Sequence, residues 1–440
     1  MKSVVRKENL GFLIYSSKKY CYFRSDFRGV EVIQKVLDNL ESNNYIYEGI
    51  SLEDKSELIE IGIDENIRFV DNSKLVDRPL FAPLEYYFDF TSKCNLRCPH
   101  CYNKNHWNNK TMDIANIKNI IEEMYWLGVN RLHLAGGEPT IDFNSLTSYL
   151  ETAKKYEIVT SMATNGTLLD ERMCNFLADM NLFAISISID GWNEESNSIR
   201  RGEGVFTRSV NGTKELINTI RKKDCKTEIC IKPIYEYSTP LEFFDNMIKF
   251  SIDIGVDKIK FSNPERSLNH SKQHYGTYKQ IYYRDLQYIL ELQEKYKGKI
   301  KIMNVTNPTV GCMDVGIPGL RGCIGGQELL AINPDGRISP CLMNDTILGK
   351  YEEYNSIKKF LLESQKLKEY IAKIDYIPCH SCTLYSKCRG GCQVRKIVEY
   401  GEIKEKDPLC PQKYHLKQSS VHNEQTRNTL FQEVYVSHSL

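Results

Sequence analysis

The sequence predicts an α/β protein built on a parallel sheet, with a small α+β unit before it and a cysteine-rich unit after it. Three observations carry this. Between about Phe81 and Ile300, β-type runs alternate six times with amphipathic helical runs. Ahead of them lies a hairpin pattern followed by small helices. Behind them the cysteine density rises. A chain of 440 residues has room for two or three domains, and we divide it at 1–80, 81–300 and 301–440.

Composition narrows the function classes. A net charge of +1 gives no electrostatic reason to expect nucleic acid or an anionic membrane as partner. There is no apolar run of about 18 residues, and Met1–Lys7 lacks the apolar segment of a signal peptide. A cytoplasmic location is expected. Fifteen cysteines in such a chain point to metal or redox chemistry rather than disulfides.

In the first unit, Leu10–Tyr15 and Tyr20–Phe23 are β-type runs separated by Ser16-Ser17-Lys18-Lys19, a hairpin pattern. Val30–Leu40 has apolar residues at helical spacing, Leu52–Ile61 reads as a second helix and Ile67–Val70 as a last strand. Asp77-Arg78-Pro79-Leu80 reads as the linker to the next unit. On residues alone, this unit could simply pack against its neighbour.

In the second unit the strands read as Leu84–Phe90, Arg131–Leu134, Val159–Ala163, Phe183–Ile189, Thr227–Ile234 and Lys258–Phe261. Helical patterns fall near Ile114–Leu127, Asn144–Lys155, Asp170–Met180, Ser209–Lys222, Leu241–Ile254 and Tyr278–Tyr296. Such repeats imply right-handed crossovers, with active groups at the C-terminal strand ends. The first strand runs into Cys94-x3-Cys98-x2-Cys101-Tyr102, the second into Gly136-Gly137-Glu138-Pro139, the third into Thr164-Asn165-Gly166 and the fourth into Ser188-Ile189-Asp190-Gly191. Three thiolates suit three corners of a four-iron cube and leave the fourth iron open. A zinc ion would need a closing ligand. The local candidate, His100, sits cramped between two of the cysteines.

The cysteine spacing, the aromatic Tyr102 and the Gly-Gly-Glu-Pro run resemble the radical S-adenosylmethionine (SAM) superfamily. That resemblance implies a partial (β/α)6 TIM-type barrel. Its [4Fe-4S] cluster would be held by Cys94, Cys98 and Cys101. It further implies SAM binding by Tyr102, Gly136, Gly137 and Glu138, with Thr164, Asn165, Ser188 and Asp190 towards the ribose and carboxylate. A backbone carbonyl of the glycine run is the expected amine acceptor rather than the Glu138 carboxylate. Arg201 matches an arginine-glycine pattern set against the SAM carboxylate; Arg200 reads equally as a solvated charge. No catalytic base is assigned. Cys21, Cys174, Cys225 and Cys230 read as ordinary thiols.

The third unit carries Cys323-x12-Gly336-x4-Cys341, then Cys379-x2-Cys382-x5-Cys388-x3-Cys392-x17-Cys410, with Cys312 eleven residues before Cys323. Spacing alone leaves a two-zinc ribbon open. The array resembles the SPASM domain, which implies two auxiliary [4Fe-4S] clusters. Cys312, Cys323, Cys341 and Cys392 would hold one, and Cys379, Cys382, Cys388 and Cys410 the other. Asn333-Pro334-Asp335-Gly336 reads as a turn between strands Leu329–Ile332 and Arg337–Ser339. The polar tail after Tyr414 reads as a capping helix or partly disordered.

Together these resemblances imply three clusters plus SAM. A 5′-deoxyadenosyl radical would abstract hydrogen from a ribosomally made precursor peptide, leaving a thioether, carbon–carbon or ether cross-link. The N-terminal layout is similar to winged-helix peptide-recognition domains, which implies leader binding beside the sheet while the barrel works on the core. Flavodoxin or ferredoxin is the implied electron donor. An anaerobic sulfatase-maturing enzyme, which forms formylglycine, is the second reading. It is disfavoured by the N-terminal unit and by Leu342, where such enzymes carry aspartate. The third is a non-catalytic iron–sulfur or zinc regulator, disfavoured by Gly136–Pro139.

Overall fold

The computed structural model describes residues 2–9, 11–25, 27–75, 80–103, 108–236, 238–262, 278–303, 323–375, 379, 381–382, 388–403 and 405–410, and the backbone of 431–434. Asp77, Arg78 and Pro79 of the expected linker, and Cys312, lie outside these residues.

The N-terminal sheet is made by β1 (Val4–Glu8), β2 (Gly11–Ser16), β3 (Cys21–Ser25) and β4 (Arg68–Asp71), with β15 (Phe431–Val434) at its far edge. β2 and β3 form the expected hairpin, in the register Leu13↔Arg24 and Tyr15↔Tyr22. β1 was not expected; it pairs antiparallel with β2 and parallel with β4. Of the tail after Tyr414, residues 431–434 are described, and their backbone is a strand antiparallel to β3 where a capping helix was one expectation. One face of the sheet packs Val5, Phe12, Ile14 and Phe23 against α1 (Phe27–Glu41) and α2 (Leu52–Glu60). The other face sets Val4, Leu13, Tyr15 and Tyr22 against Leu84 and Val159, at the starts of barrel strands. This unit therefore docks beneath the barrel.

The large sheet runs β11-β10-β9-β8-β7-β6-β5-β12-β13-β14. Its barrel strands are β5 (Glu85–Phe88), β6 (Arg131–Leu134), β7 (Val159–Thr164), β8 (Ala184–Ile187), β9 (Glu228–Ile231) and β10 (Lys258–Lys260), all paired in parallel. Six parallel strands were expected, and two more extend the sheet. β11 (Lys301–Met303) adds beyond β10, and β12 (Leu329–Ile332) adds beside β5. The hairpin β12–β13 (Arg337–Ser339) continues antiparallel to β14 (Gly349–Lys350). The cysteine-rich segment thus shares a sheet with the barrel.

Helices α3 (Ile114–Trp126), α4 (Phe143–Lys155), α5 (Glu171–Met180), α7 (Val205–Lys222), α8 (Glu242–Ile254) and α9 (Lys279–Lys295) alternate with the strands. α4 and α5 begin where Asp142 and Asp170 accept from the backbone N–H groups of Ser145 and Met173. Leu132, Leu134, Ile185, Ile187, Ile231 and Ile259 join the core with these helices. The alternate positions face the other side of the sheet. An unexpected helix, α6 (Glu194–Arg201), follows β8. It starts in a capping box between Asn193 and Ser196. Short helices α10 (Tyr351–Tyr354), α11 (Ile357–Glu363), α12 (Gln365–Asp375) and α13 (Gln393–Tyr400) belong to the C-terminal segment. No helix of the described residues is long and apolar enough to cross a membrane.

Candidate functional site

β5 delivers the chain to the three cysteines at its C-terminal end. Cys94 and Cys101 pack against a small buried group made by Leu96, Cys98 and Val205. The Cys101 N–H donates to the Cys98 carbonyl at 3.2 Å, and the Leu96 N–H points at the Cys94 sulfur at 3.4 Å. Burial, with the charges of Glu138, Cys101 and Cys98, pushes the Cys94 thiol up to about 11. Three thiols in one another's field call for a cation, and a bound metal reverses that preference. Among the described residues no three His, Cys, Asp or Glu side chains converge as they would on a single ion. A cube takes one thiolate on each of three irons and does not need that convergence. N–H groups at the sulfurs and an apolar surround suit a cluster here.

The loop after β6 is fastened directly to the cluster loop. The Gly137 N–H donates to Thr91 O at 2.9 Å and the Glu138 N–H to Lys93 O at 2.7 Å. Gly136 has φ +90°, and a Cβ there would stand 2.6 Å from Thr91 O; at Gly137 it would stand 2.0 Å from Lys93 O. Tight backbone packing is thus one physical reason for these glycines. The Tyr102 hydroxyl accepts from the Gly136 N–H at 3.0 Å and lies 3.3 Å from both the Asp89 carboxylate and Gly136 O. Burial pushes the Asp89 carboxyl up to about 7, against hydrogen bonds from Ala135 and Tyr102.

Glu138 is buried, and its carboxylate accepts from Thr140 N–H and Oγ1 (3.1 and 2.6 Å), Thr164 Oγ1 (2.6 Å) and the Asn165 N–H (2.7 Å). It clamps the loop after β6 to the end of β7. Asn165 Nδ2 donates in turn to Asn95 Oδ1 at 2.9 Å. Half-buried Ser188 joins the next loop through its N–H to Thr164 O at 2.9 Å.

Asp190 accepts from the Ile234 N–H at 2.8 Å and pairs with Arg201 Nε at 2.5 Å; His100 Nε2 stands 3.4 Å away. Burial opposes its charge, yet the Arg201 guanidinium and His100 hold the carboxyl well below the usual carboxylate range. Arg201 Nη1 points at the Cys98 sulfur at 3.7 Å. Arg200 pairs with Glu236 at 3.0 Å.

Beneath these loops, the inner positions of the strands are polar. His133 meets Ser161 Oγ at 3.0 Å, Lys258 pairs with Glu228, and Lys260 is buried. Burial, then Lys232, holds Lys260 well below the ordinary lysine range. Sequence reasoning missed His133, Lys258 and Lys260. The alternation Lys258-Ile259-Lys260 was the available signal.

In the C-terminal segment, Tyr370 on α12 is pushed far up by burial and by the nearby Cys323, Cys341 and Cys392. Cys379 feels Lys396, Cys410 and Cys388, and the Cys382 N–H donates to Cys379 O at 2.8 Å. Tyr370 thus neighbours Cys323, Cys341 and Cys392, and Cys379 neighbours Cys388 and Cys410. Both amide atoms of buried Gln393 and the ammonium of buried Lys396 have no hydrogen-bond partner among the described residues. A sulfur-rich anionic cluster would accept from the Gln393 amide N–H and the Lys396 ammonium.

The profile of the Radical SAM superfamily matches residues 88–247. A relative named PqqA peptide cyclase, from Rhizobium meliloti, is 25% identical over 352 residues, covering 75% of this chain and 88% of its own. Mycofactocin maturase MftC from Mycolicibacterium smegmatis is 24% identical over 350 residues, covering 76% and 84%. Streptococcus suis SuiB bound to S-adenosylmethionine superposes with a TM-score of 0.70 over 93% of this chain and 98% of its own, at 17% identity. Residues 88–247 thus form a radical SAM domain, and the chain is similar over about three quarters of its length to peptide maturases that carry one.

Proposed function

We propose that the protein modifies a ribosomally made precursor peptide by hydrogen abstraction, leaving a thioether, carbon–carbon or ether cross-link. One observation carries the reading. Cys94–Tyr102, Gly136–Glu138, Thr164–Asn165 and Ser188–Asp190 follow four consecutive parallel strands and are tied to one another at one end of the barrel. Two relatives that span about three quarters of the chain are named PqqA peptide cyclase and mycofactocin maturase, and the formylglycine-forming and non-catalytic alternatives are set aside.

Cys94, Cys98 and Cys101 hold the [4Fe-4S] cluster. When bound there, SAM and the reduced cluster would together supply a 5′-deoxyadenosyl radical, one cluster electron being used to release methionine. The chain's residues position the reactants. Glu138 fixes the Gly136–Gly137 backbone rather than offering its spent carboxylate to SAM. Arg201, set by Asp190, faces the SAM carboxylate. Tyr102 locks the cluster loop to the glycine run.

Two auxiliary clusters complete the reading, on Cys312, Cys323, Cys341 and Cys392, and on Cys379, Cys382, Cys388 and Cys410. Residues 1–80 act as a winged-helix-like unit that holds the leader, and residues 301–440 as a SPASM domain. Flavodoxin or ferredoxin delivers electrons in the cytoplasm. The test uses reduced protein, SAM and the short peptide encoded beside the gene. Loss of two hydrogens from that peptide is expected. An unchanged peptide mass alongside peptide-independent SAM cleavage would overturn the reading.

A further inference from the structure

Lys396 lies one turn into α13 from Cys392, and its N–H donates to the Cys392 carbonyl at 3.3 Å. It is 0% exposed, and its ammonium has no hydrogen-bond partner among the described residues. An enclosed cation without a partner is costly unless something anionic belongs beside it. The nearby carboxylate, Asp407, is already spent. It accepts from Arg395 Nε at 3.1 Å and Nη2 at 2.7 Å, from the Cys392 N–H at 2.5 Å and from the Leu409 N–H at 2.8 Å. The other charges acting on Lys396 are the sulfurs of Cys323, Cys379 and Cys392, which favour its ammonium form against the lowering effect of burial. Gln393, directly after Cys392, is also enclosed, and both its amide atoms are orphaned. No side chain of the first cysteine stretch has a comparable orphaned ammonium.

We propose that Lys396 is a positioning residue shared by the two auxiliary clusters, its positive charge stabilising the reduced form of both. Gln393 serves only the cluster that includes Cys392. The inference rests on reading the eight C-terminal cysteines as two cluster sites. A fixed cation beside an iron–sulfur cluster favours the more negative, reduced state, so hydrogen bonds and charge at the sulfurs set the potential.

The test is a redox titration followed by electron paramagnetic resonance, without SAM or peptide. It uses the full chain carrying Cys94→Ala, Cys98→Ala and Cys101→Ala, which leaves auxiliary iron only. About eight irons per chain are expected. In that background Lys396→Met should shift the reduction equilibrium of both clusters at least tenfold towards the oxidised form, about 59 mV for a one-electron couple. Lys396→Arg should restore both midpoints. Gln393→Leu should move one midpoint and leave the other. If Lys396→Met sheds iron, Lys396→Gln, which removes the charge and keeps a donor, carries the same measurement. Full iron with both midpoints unmoved would overturn the role of Lys396 and leave the cluster reading intact. Zinc, or about four irons or fewer, in the parent would overturn the cluster reading and this inference with it.

Discussion

Glu138 is one carboxylate engaged by four donors on two loops. Glu138→Gln turns one acceptor oxygen into an amide donor facing donors. A loss of about 1–3 kcal/mol is expected at the site. SAM cleavage should fall at least tenfold while iron content stays at the parent value, as assays of 5′-deoxyadenosine and iron would read. Gly137→Ala forces a Cβ to 2.0 Å from Lys93 O, so the backbone must move. The folded variant should lose SAM binding in equilibrium dialysis. The motif residues were legible because thiol spacing and a double glycine have few other uses. The role of Glu138 was not, since its partners Thr164 and Asn165 lie 26 and 27 positions away. Asp190 read as a ligand contact, and its pairing with Arg201 needed α6. That helix, Glu-Glu-Ser-Asn-Ser-Ile-Arg-Arg, has no apolar period to announce it.

Among elements, β1 holds the N-terminal sheet to the barrel through a buried clasp. Arg6 donates to Pro83 O at 3.0 Å, to Ala82 O at 2.6 Å and to Glu8 at 2.5 Å, and Glu8 accepts from the Phe81 N–H at 2.8 Å. Arg6→Met leaves Glu8 charged and enclosed, a cost of about 3–5 kcal/mol. Its thermal midpoint should fall well below that of the parent. On α9, burial pushes Asp285 up to about 6 against Arg284, and its Oδ2 is orphaned. A folded pKa above the unfolded 3.8 means the fold binds this proton more tightly. Stability from this group is present below pH 3.8 and is lost as pH rises through 6. Asp285→Asn should therefore raise the thermal midpoint at pH 8 and do less at pH 5. The alternating strands and helices of the barrel were legible from period alone. The strand β12 was read, but its pairing with β5 was not, because the two lie far apart in sequence, and β11 was not read as a strand.

At the scale of the whole molecule, the N-terminal sheet packs against strand starts and the cluster loops follow strand ends. If the leader is held on that sheet, as proposed, it must span the barrel's height. A six-residue strand such as β7 covers roughly 20 Å. At about 3.3–3.6 Å per extended residue, at least about six residues must separate the held segment from the modified side chain. Shortening the precursor below that spacing should abolish modification and leave binding intact, as mass spectrometry and a binding titration would show. The most direct test of the account remains SAM itself. Anaerobically reduced protein given SAM should form 5′-deoxyadenosine and methionine, while Cys98→Ala should form neither and keep its C-terminal iron. A parent protein that leaves SAM intact, or a Cys98→Ala variant that still cleaves it, would contradict the account.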